Sequence, residues 1–241
     1  MGFPCSECKS ECVSEMGGTY LLVLLGPASV VVAPFVGFPS YFEALAFVAF
    51  VFGGTVASAI LLLGRRSGAH INPAITLANV LSGRFERRLF IPYVAFQVAG
   101  GLLAGLSLKV ALGWVSSSAS LGSTKLAVGV SPIEGTLLEA VGTFILAVSA
   151  LSASSFVKTP LRQAILVGAT LTVLILFIGP LTGASFNPAR SLGPSVFSVY
   201  YLNQPVFWVG PLLGAGCAGL IFGALRKSLN HGRRLPTVCV C

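Results

Sequence analysis

Long apolar runs separated by short polar connections make up most of this chain. Each run is close to the roughly 20 mostly apolar residues that a helix needs to cross a bilayer. The runs fall near residues 14–35, 42–63, 89–112, 134–155, 162–180 and 204–226. The pattern therefore predicts an all-α membrane protein with six transmembrane helices joined by short connections.

Two further apolar segments, 72–81 and 187–197, are too short to cross a bilayer. Both begin with the same tripeptide, and its proline suits the first position of a helix. The two copies are Asn72, Pro73, Ala74 and Asn187, Pro188, Ala189. We therefore predict two re-entrant half-helices that enter the membrane and end inside it.

The second half of the chain repeats the first. The first and fourth runs both contain Glu-x-x-Gly-Thr, starting at Glu15 and Glu139, and segment 67–76 resembles segment 182–191. Each half contains three spans, an odd number, so the second copy must be inverted relative to the first. Inverted repeats place their shared feature near the bilayer midplane, which here brings two half-helix N-termini head to head.

Composition excludes an ordinary soluble domain, because only 9% of the residues are charged against about 25% in soluble proteins. The net charge of +8 is dispersed along the chain, which argues against a nucleic-acid partner. All of the 15 basic residues except Lys109, Lys125 and Arg190 fall in segments predicted on one side of the membrane. The positive-inside rule then predicts a multi-pass membrane protein with both termini in the cytoplasm. We expect it in the cell membrane, with an internal membrane as the alternative.

The two Asn-Pro-Ala turns also predict how a pore between them would exclude cations and protons. Each half-helix N-terminus carries an effective charge of about +0.5, and two aimed at one point repel cations. Asn72 and Asn187 would offer amide donors to a water between them, and this orientation interrupts a proton wire. Asparagine is also a favoured helix cap, so each motif could simply begin a helix. Two copies within matching segments of inverted halves favour a pore.

Ionisable residues in apolar spans usually face the bundle interior. The matched positions of Glu15 and Glu139 suggest that they accept hydrogen bonds from the re-entrant loops, with proton coupling in a transporter as the alternative. His70, two residues before the first motif, is expected to support its loop by packing, with pH sensing as the alternative.

Five of the six cysteines, Cys5, Cys8, Cys12, Cys239 and Cys241, lie in segments predicted to be terminal tails, and Cys217 lies in an apolar run. Their spacing matches no familiar metal site, so we expect neither a metal ion nor another cofactor. The predicted membrane region contains no cluster of residues that would make it an enzyme.

The two Asn-Pro-Ala motifs, their surrounding frames and the run at 187–191 resemble the major intrinsic protein family, the aquaporins and aquaglyceroporins. The resemblance implies an aquaporin-like bundle of six transmembrane helices plus two re-entrant half-helices, and a homotetramer with one pore per subunit. It implies a channel domain over 14–229, with repeats at about 14–112 and 134–229. Residues 1–13 and 230–241 would be cytoplasmic tails.

The resemblance also implies a selectivity filter of four residues: Phe52, Ile175, Ala184 and Arg190. Strict water channels of the family place histidine at the position of Ile175, so this filter is less polar than theirs. Ser191 after the second motif and the pair Phe207 and Trp208 are more typical of water channels than of glycerol channels.

The expected function is a passive water channel in the lipid bilayer that excludes protons and ions. Passage of small neutral solutes (ammonia, hydrogen peroxide, urea and glycerol) remains open. The alternatives are an aquaglyceroporin-type facilitator and, as a different class, a secondary transporter, since inverted repeats with broken helices also occur there.

Overall fold

The structure is a computed structural model that describes residues 6–114 and 120–229. In these residues the chain forms eight α-helices and two short 3₁₀ turns. The helices are α1 (Ser6–Val36), α2 (Tyr41–Ser67), α3 (Pro73–Leu81), α4 (Phe90–Leu112), α5 (Pro132–Phe156), α6 (Pro160–Thr182), α7 (Pro188–Ser198) and α8 (Val206–Leu229). Six of them are long and apolar enough to cross a membrane, and α3 and α7 are not. The predicted all-α class, with six spans and two half-helices, is confirmed.

The first helix extends further toward the N-terminus than the apolar run predicted. It begins at Ser6, so Cys12 lies inside α1 rather than in a tail. Cys12 is buried against Leu89 and Tyr93, which stabilises this polar first part of the helix. The terminal cysteines Cys5, Cys239 and Cys241, and the side chain of Cys8, lie outside the described residues.

Local sequence signals explain where the helices begin and end. Ser40 before α2 and Ser131 before α5 each form a capping box with the glutamate three residues later, which satisfies free N–H groups. The helices that precede the two short helices both end in a left-handed glycine, Gly68 with φ +86° and Gly183 with φ +78°. Glycine is favoured at this position because it has no Cβ to clash.

The two halves of the chain interlock through the short helices. Helix α3 of the first half packs against α8 of the second, and α7 of the second half packs against α4 of the first. A Cβ atom on Gly219 would lie 2.6 Å from the carbonyl oxygen of Ala78, and one on Gly101 would lie 2.6 Å from that of Ala189. Small residues of this kind allow the close backbone approach that is common between membrane helices.

Candidate functional site

Two loops, 68–72 and 183–187, lead into the short helices and expose backbone inside the bundle. Both adopt left-handed backbone at matching positions: Gly68, Ala69 and Ile71 in the first loop, and Gly183, Ala184 and Phe186 in the second. A β-branched residue such as Ile71 rarely occupies this region. Such residues cost about 1–3 kcal/mol each, so both loops require strong support.

Glu15 supports the first loop and is completely buried. Its carboxylate accepts hydrogen bonds from the backbone N–H groups of His70 at 2.9 Å and Ile71 at 2.5 Å. It also accepts from the Ser67 hydroxyl at 2.7 Å and from the Gln97 amide at 2.8 Å. Hydrogen bonds to a carboxylate are roughly twice as strong as those between neutral groups, so these four donors hold the loop in place.

Glu139 supports the second loop in the same way and is also completely buried. It accepts from the backbone N–H groups of Ser185 at 2.9 Å and Phe186 at 2.7 Å, and from the Thr182 hydroxyl at 2.7 Å. The two glutamates therefore make equivalent contacts in the two halves of the repeat.

The two motif asparagines cap the short helices. The side-chain oxygen of Asn72 accepts from the backbone N–H of Ala74 at 2.8 Å. That of Asn187 accepts from Ala189 at 3.0 Å and Arg190 at 3.3 Å. Capping thus uses the amide oxygen of each asparagine and leaves its NH₂ group for another partner.

That NH₂ group joins each loop to the opposite one. The Asn72 amide donates to the carbonyl oxygen of Phe186 at 2.8 Å, and the Asn187 amide donates to that of Ile71 at 2.9 Å. These reciprocal bonds fix the two helix N-termini head to head. An asparagine NH₂ has two N–H donors, and each bond uses one of them.

A cavity of about 1460 Å³ extends along both loops. Five of the predicted site residues line it together: Phe52, Asn72, Ala184, Asn187 and Arg190. His70 lines it as well, whereas Glu15 and Glu139 lie behind the loops that they support. The site is therefore a cavity with the asparagine pair in its wall.

One mouth of this cavity is rich in arginine. It is lined by Arg65, Arg66, Arg84 and Arg226, and we call it the arginine-rich end. Arg84 donates to the carbonyl oxygens of Leu151 and Ser154, both at 3.2 Å, near the C-terminus of α5. Burial, and then the nearby positive charge of Arg226, lower the pKa of Arg84.

Arg190 is buried at the other side of the asparagine pair, with 3% of its surface exposed. Its guanidinium lies over the Phe52 ring, 5.0 Å from the ring centroid. Its Nε has no hydrogen-bond partner among the described residues. Arg190 therefore places a positive charge in the wall of the cavity, and its unpaired Nε donor is buried within that wall.

The fourth predicted filter residue, Ile175, lies in the same buried cluster as Phe52 and Ala184. It is 4% exposed and does not line the cavity; of the α6 residues that do, Leu171, one helical turn earlier, lies nearest to it in the chain. Ile175 thus adds an apolar wall behind the passage, and its role as a filter residue stays a prediction.

The 3₁₀ turn Ser120–Gly122 positions Arg190, a contact that the sequence did not suggest. The Gly122 carbonyl oxygen accepts from the Arg190 guanidinium at 2.9 Å. Three consecutive residues, Ser120, Leu121 and Gly122, have left-handed backbone. A Cβ on Gly122 would lie 2.6 Å from the carbonyl oxygen of Pro27, so only glycine fits this close approach. No local motif marked this turn; its glycine was the one available signal.

Gln97 is a second functional residue that sequence reasoning missed. It is fully buried in α4, and its amide donates to Glu15 at 2.8 Å and to the Thr76 hydroxyl at 2.9 Å. Thr76 in turn donates to the carbonyl oxygen of Asn72 at 3.0 Å. A single glutamine in the apolar stretch 94–106 was the signal that could have indicated this role.

The His70 ring packs in an aromatic cluster. Its centroid lies 4.9 Å from that of Phe85 and 5.6 Å from that of Tyr93. The Tyr93 hydroxyl donates to the carbonyl oxygen of Ser67 at 3.0 Å, which ties the cluster to the end of α2. These contacts match a loop-packing residue, and pH sensing by His70 stays a hypothesis.

A model of the major intrinsic protein family matches residues 5–222 of the chain. The chain is 32% identical over 239 residues to the probable aquaporin AqpM of Archaeoglobus fulgidus, covering 89% of this chain and 96% of that protein. It is 33% identical over 219 residues to aquaporin NIP1-2 of Oryza sativa subsp. japonica, covering 89% and 71%. It is 39% identical over 176 residues to the lens fiber major intrinsic protein of Gallus gallus, covering 72% and 67%.

The fold also matches a solved structure. The X-ray structure of the aquaglyceroporin from Plasmodium falciparum superposes with a TM-score of 0.77, covering 93% of this chain and 97% of that one. The sequence identity is 20%, so this match establishes the fold alone.

Proposed function

The chain belongs to the major intrinsic protein family of membrane channels, and from this premise we propose that it is a passive water channel that excludes protons and ions. The observation that carries the proposal is the reciprocal bonding of Asn72 and Asn187 to the opposite loops. It brings two positive helix ends to one point in the wall of the cavity.

Proton exclusion follows from the donors at this point. The second N–H of each asparagine amide is available to a water molecule, whose oxygen then accepts from both sides. A water oriented in this way cannot accept a proton from one neighbour and donate to the next along a continuous wire. The paired helix dipoles add a barrier to H₃O⁺ and to metal cations.

Selectivity depends on the wall around Arg190. Its positive charge repels cations, and its guanidinium N–H groups are the donors of this wall for a water or another small polar molecule. Phe52, Ala184 and Ile175 make the rest of this region apolar. An apolar wall lowers the cost of passing ammonia, hydrogen peroxide, urea or glycerol, so we propose that such solutes pass in addition to water.

The same apolar wall favours an aquaglyceroporin-type facilitator as the second candidate. A secondary transporter is less well supported, because such a protein needs an ionisable group that its coupling ion reaches. Glu15 and Glu139 are completely buried, and both accept hydrogen bonds from the loops with each of their carboxylate oxygens.

We further propose that the arginine-rich end faces the cytoplasm of the cell membrane, which leaves both termini on that side. The channel domain would be residues 14–229, flanked by tails at 1–13 and 230–241, and four copies would form a homotetramer. The positive-inside distribution supports the orientation, and family membership supports the assembly.

Osmotic shrinkage of proteoliposomes distinguishes a channel from a transporter. We expect purified protein to accelerate the shrinkage seen by stopped-flow light scattering, with a low activation energy and no dependence on a Na⁺ or H⁺ gradient. Protein-free vesicles provide the baseline. Saturable uptake that requires either gradient would show that the protein is a transporter.

Ile175→His tests the proposed filter in the same vesicles. Histidine adds a hydrogen-bonding group to the apolar wall, which we expect to reduce glycerol and ammonia flux about tenfold relative to water, since small pocket changes give roughly 1–3 kcal/mol of discrimination. Ile175→Leu conserves volume and polarity, and is expected to keep the wild-type flux ratio. Equal flux ratios in both variants would show that Ile175 is not a filter residue.

A further inference from the structure

Gly26 of α1 lies directly behind the ring of Phe52. Gly26 is buried and does not line the cavity, whereas Phe52 does. A Cβ placed on Gly26 would lie 2.6 Å from Cδ1 of that ring and closer still to Cε1 and Cζ. Carbon atoms pack best about 3.5–4.0 Å apart. The Phe52 ring therefore occupies the space that a side chain at position 26 would need.

Close packing of two helix backbones does not explain this glycine. Where such packing requires a glycine in the bundle, an added Cβ would meet backbone atoms, as at Gly101 against the carbonyl oxygen of Ala189. At Gly26 the three nearest atoms all belong to the side chain of Phe52. Gly26 therefore accommodates a side chain of the proposed filter rather than a neighbouring helix.

The next residue, Pro27, contacts the turn that holds Arg190. A Cβ on Gly122 would lie 2.6 Å from the carbonyl oxygen of Pro27 and 2.7 Å from its Cα. The Gly122 carbonyl oxygen accepts from the Arg190 guanidinium, which lies over the Phe52 ring. Both sides of the proposed filter are thus supported by two adjacent residues of α1. A movement of α1 away from Phe52 would also separate Pro27 from Gly122.

A larger residue at position 26 would therefore move the Phe52 ring rather than α1. The ring carbon that would lie 2.6 Å from the new Cβ must shift by about 1 Å to reach an ordinary contact distance. The cavity is the open side of this ring, because Phe52 lines it. The displaced ring would enter the cavity beside Arg190 and make it narrower there.

We propose that Gly26 is a positioning residue that sets the width of the filter, because it allows the Phe52 ring to lie back against α1. This inference rests on the proposed function of the cavity as a passage for water and small neutral solutes. Gly26 does not line the cavity, so it acts on selectivity through Phe52. It is a specificity-determining position in addition to the four filter residues.

Gly26→Ala in proteoliposomes tests this proposal. We expect water flux to fall and urea flux to fall about tenfold further, since a one-carbon change in a close-fitting site discriminates by at least about that factor. Osmotic shrinkage reports water flux and re-swelling reports urea flux. Their ratio is the decisive measurement, because a smaller amount of folded protein lowers both fluxes equally. Wild-type water flux and a wild-type ratio in folded Gly26→Ala would overturn the proposal.

Phe52→Val separates an effect through the ring from a general disturbance of α1, because it removes the three ring carbons that face Gly26. Adding Gly26→Ala to Phe52→Val should change neither flux further, since residues that act through a contact are not additive. The double variant should also fold as well as Phe52→Val, even where Gly26→Ala alone does not fold. If Gly26→Ala lowers flux or yield equally in both backgrounds, it acts on something other than the ring and the proposal is wrong.

Gly216→Ala is the matched control. It makes the same change in the spanning helix α8, at a glycine that does not line the cavity and where a Cβ would lie 3.8 Å from Leu81, an ordinary contact. We expect wild-type fluxes and a wild-type ratio from it. An effect equal to that of Gly26→Ala would refute a specific role for Gly26. Absence of water flux in wild type would contradict the proposed function instead, so the two failures are distinguishable.

Discussion

Replacing Glu139 with alanine is expected to eliminate the folded channel. The substitution leaves three buried donors without their acceptor, the N–H groups of Ser185 and Phe186 and the Thr182 hydroxyl. An unpaired buried donor costs about 1–3 kcal/mol, so the total of roughly 5 kcal/mol equals the entire stability of a marginal protein. Two left-handed residues in the same loop, Ala184 and Phe186, would lose their support at the same time.

The measurement is the yield of monodisperse protein by size-exclusion chromatography in detergent, followed by vesicle shrinkage. Glu86→Ala is the matched control, because Glu86 is exposed and, within the described part of the chain, its ion pair is with exposed Arg88, an interaction worth little. We expect wild-type behaviour from the control. A Glu139→Ala protein that is monodisperse and conducts water normally would contradict the supporting role assigned to this glutamate.

Replacing Arg190 with alanine is expected to have the largest effect on selectivity. The substitution removes the only buried positive charge among the described residues and a large side chain from beside the passage. Two unit charges about 4 Å apart repel each other by about 4 kcal/mol at an effective dielectric constant of 20. Loss of that barrier corresponds to at most roughly a thousandfold rise in cation or proton flux.

We expect water flux through Arg190→Ala to persist while proton, urea and glycerol flux all rise. A pH-sensitive dye trapped in valinomycin-treated vesicles reports proton flux, and re-swelling reports solute entry. Arg162→Ala removes an exposed positive charge elsewhere and should leave each flux unchanged. Proton and solute flux in Arg190→Ala equal to wild type would refute the proposed role of this arginine.

These predictions depend on different kinds of information. Six apolar runs were enough to predict six spans, because the bilayer requires a minimum length of apolar helix. The repeated motifs were enough to predict two short helices, because Asn and Pro are strong local signals for a helix start. Those elements are present close to their predicted positions, and the main departure is the earlier start of α1 at Ser6.

Other features depend on pairs of residues far apart in the chain. Asn72 bonds to Phe186 across 114 positions, and Arg190 bonds to Gly122 across 68. The positions of Gln97 and of the left-handed turn at Ser120–Gly122 follow from packing against other helices. A hydropathy pattern does not contain this information, because it does not indicate which distant residue each of these residues contacts.

By itself, then, the sequence determined the class of this protein: a membrane bundle of inverted repeats with two half-helices and a family resemblance that the comparisons support. The tertiary structure alone decided how the two loops are joined and which carbonyl oxygen positions Arg190. It also decided that Leu171 lines the cavity and that Ile175 does not. The physical reason is that hydropathy and capping act within one segment. The shape and polarity of a passage depend on which segments meet around it.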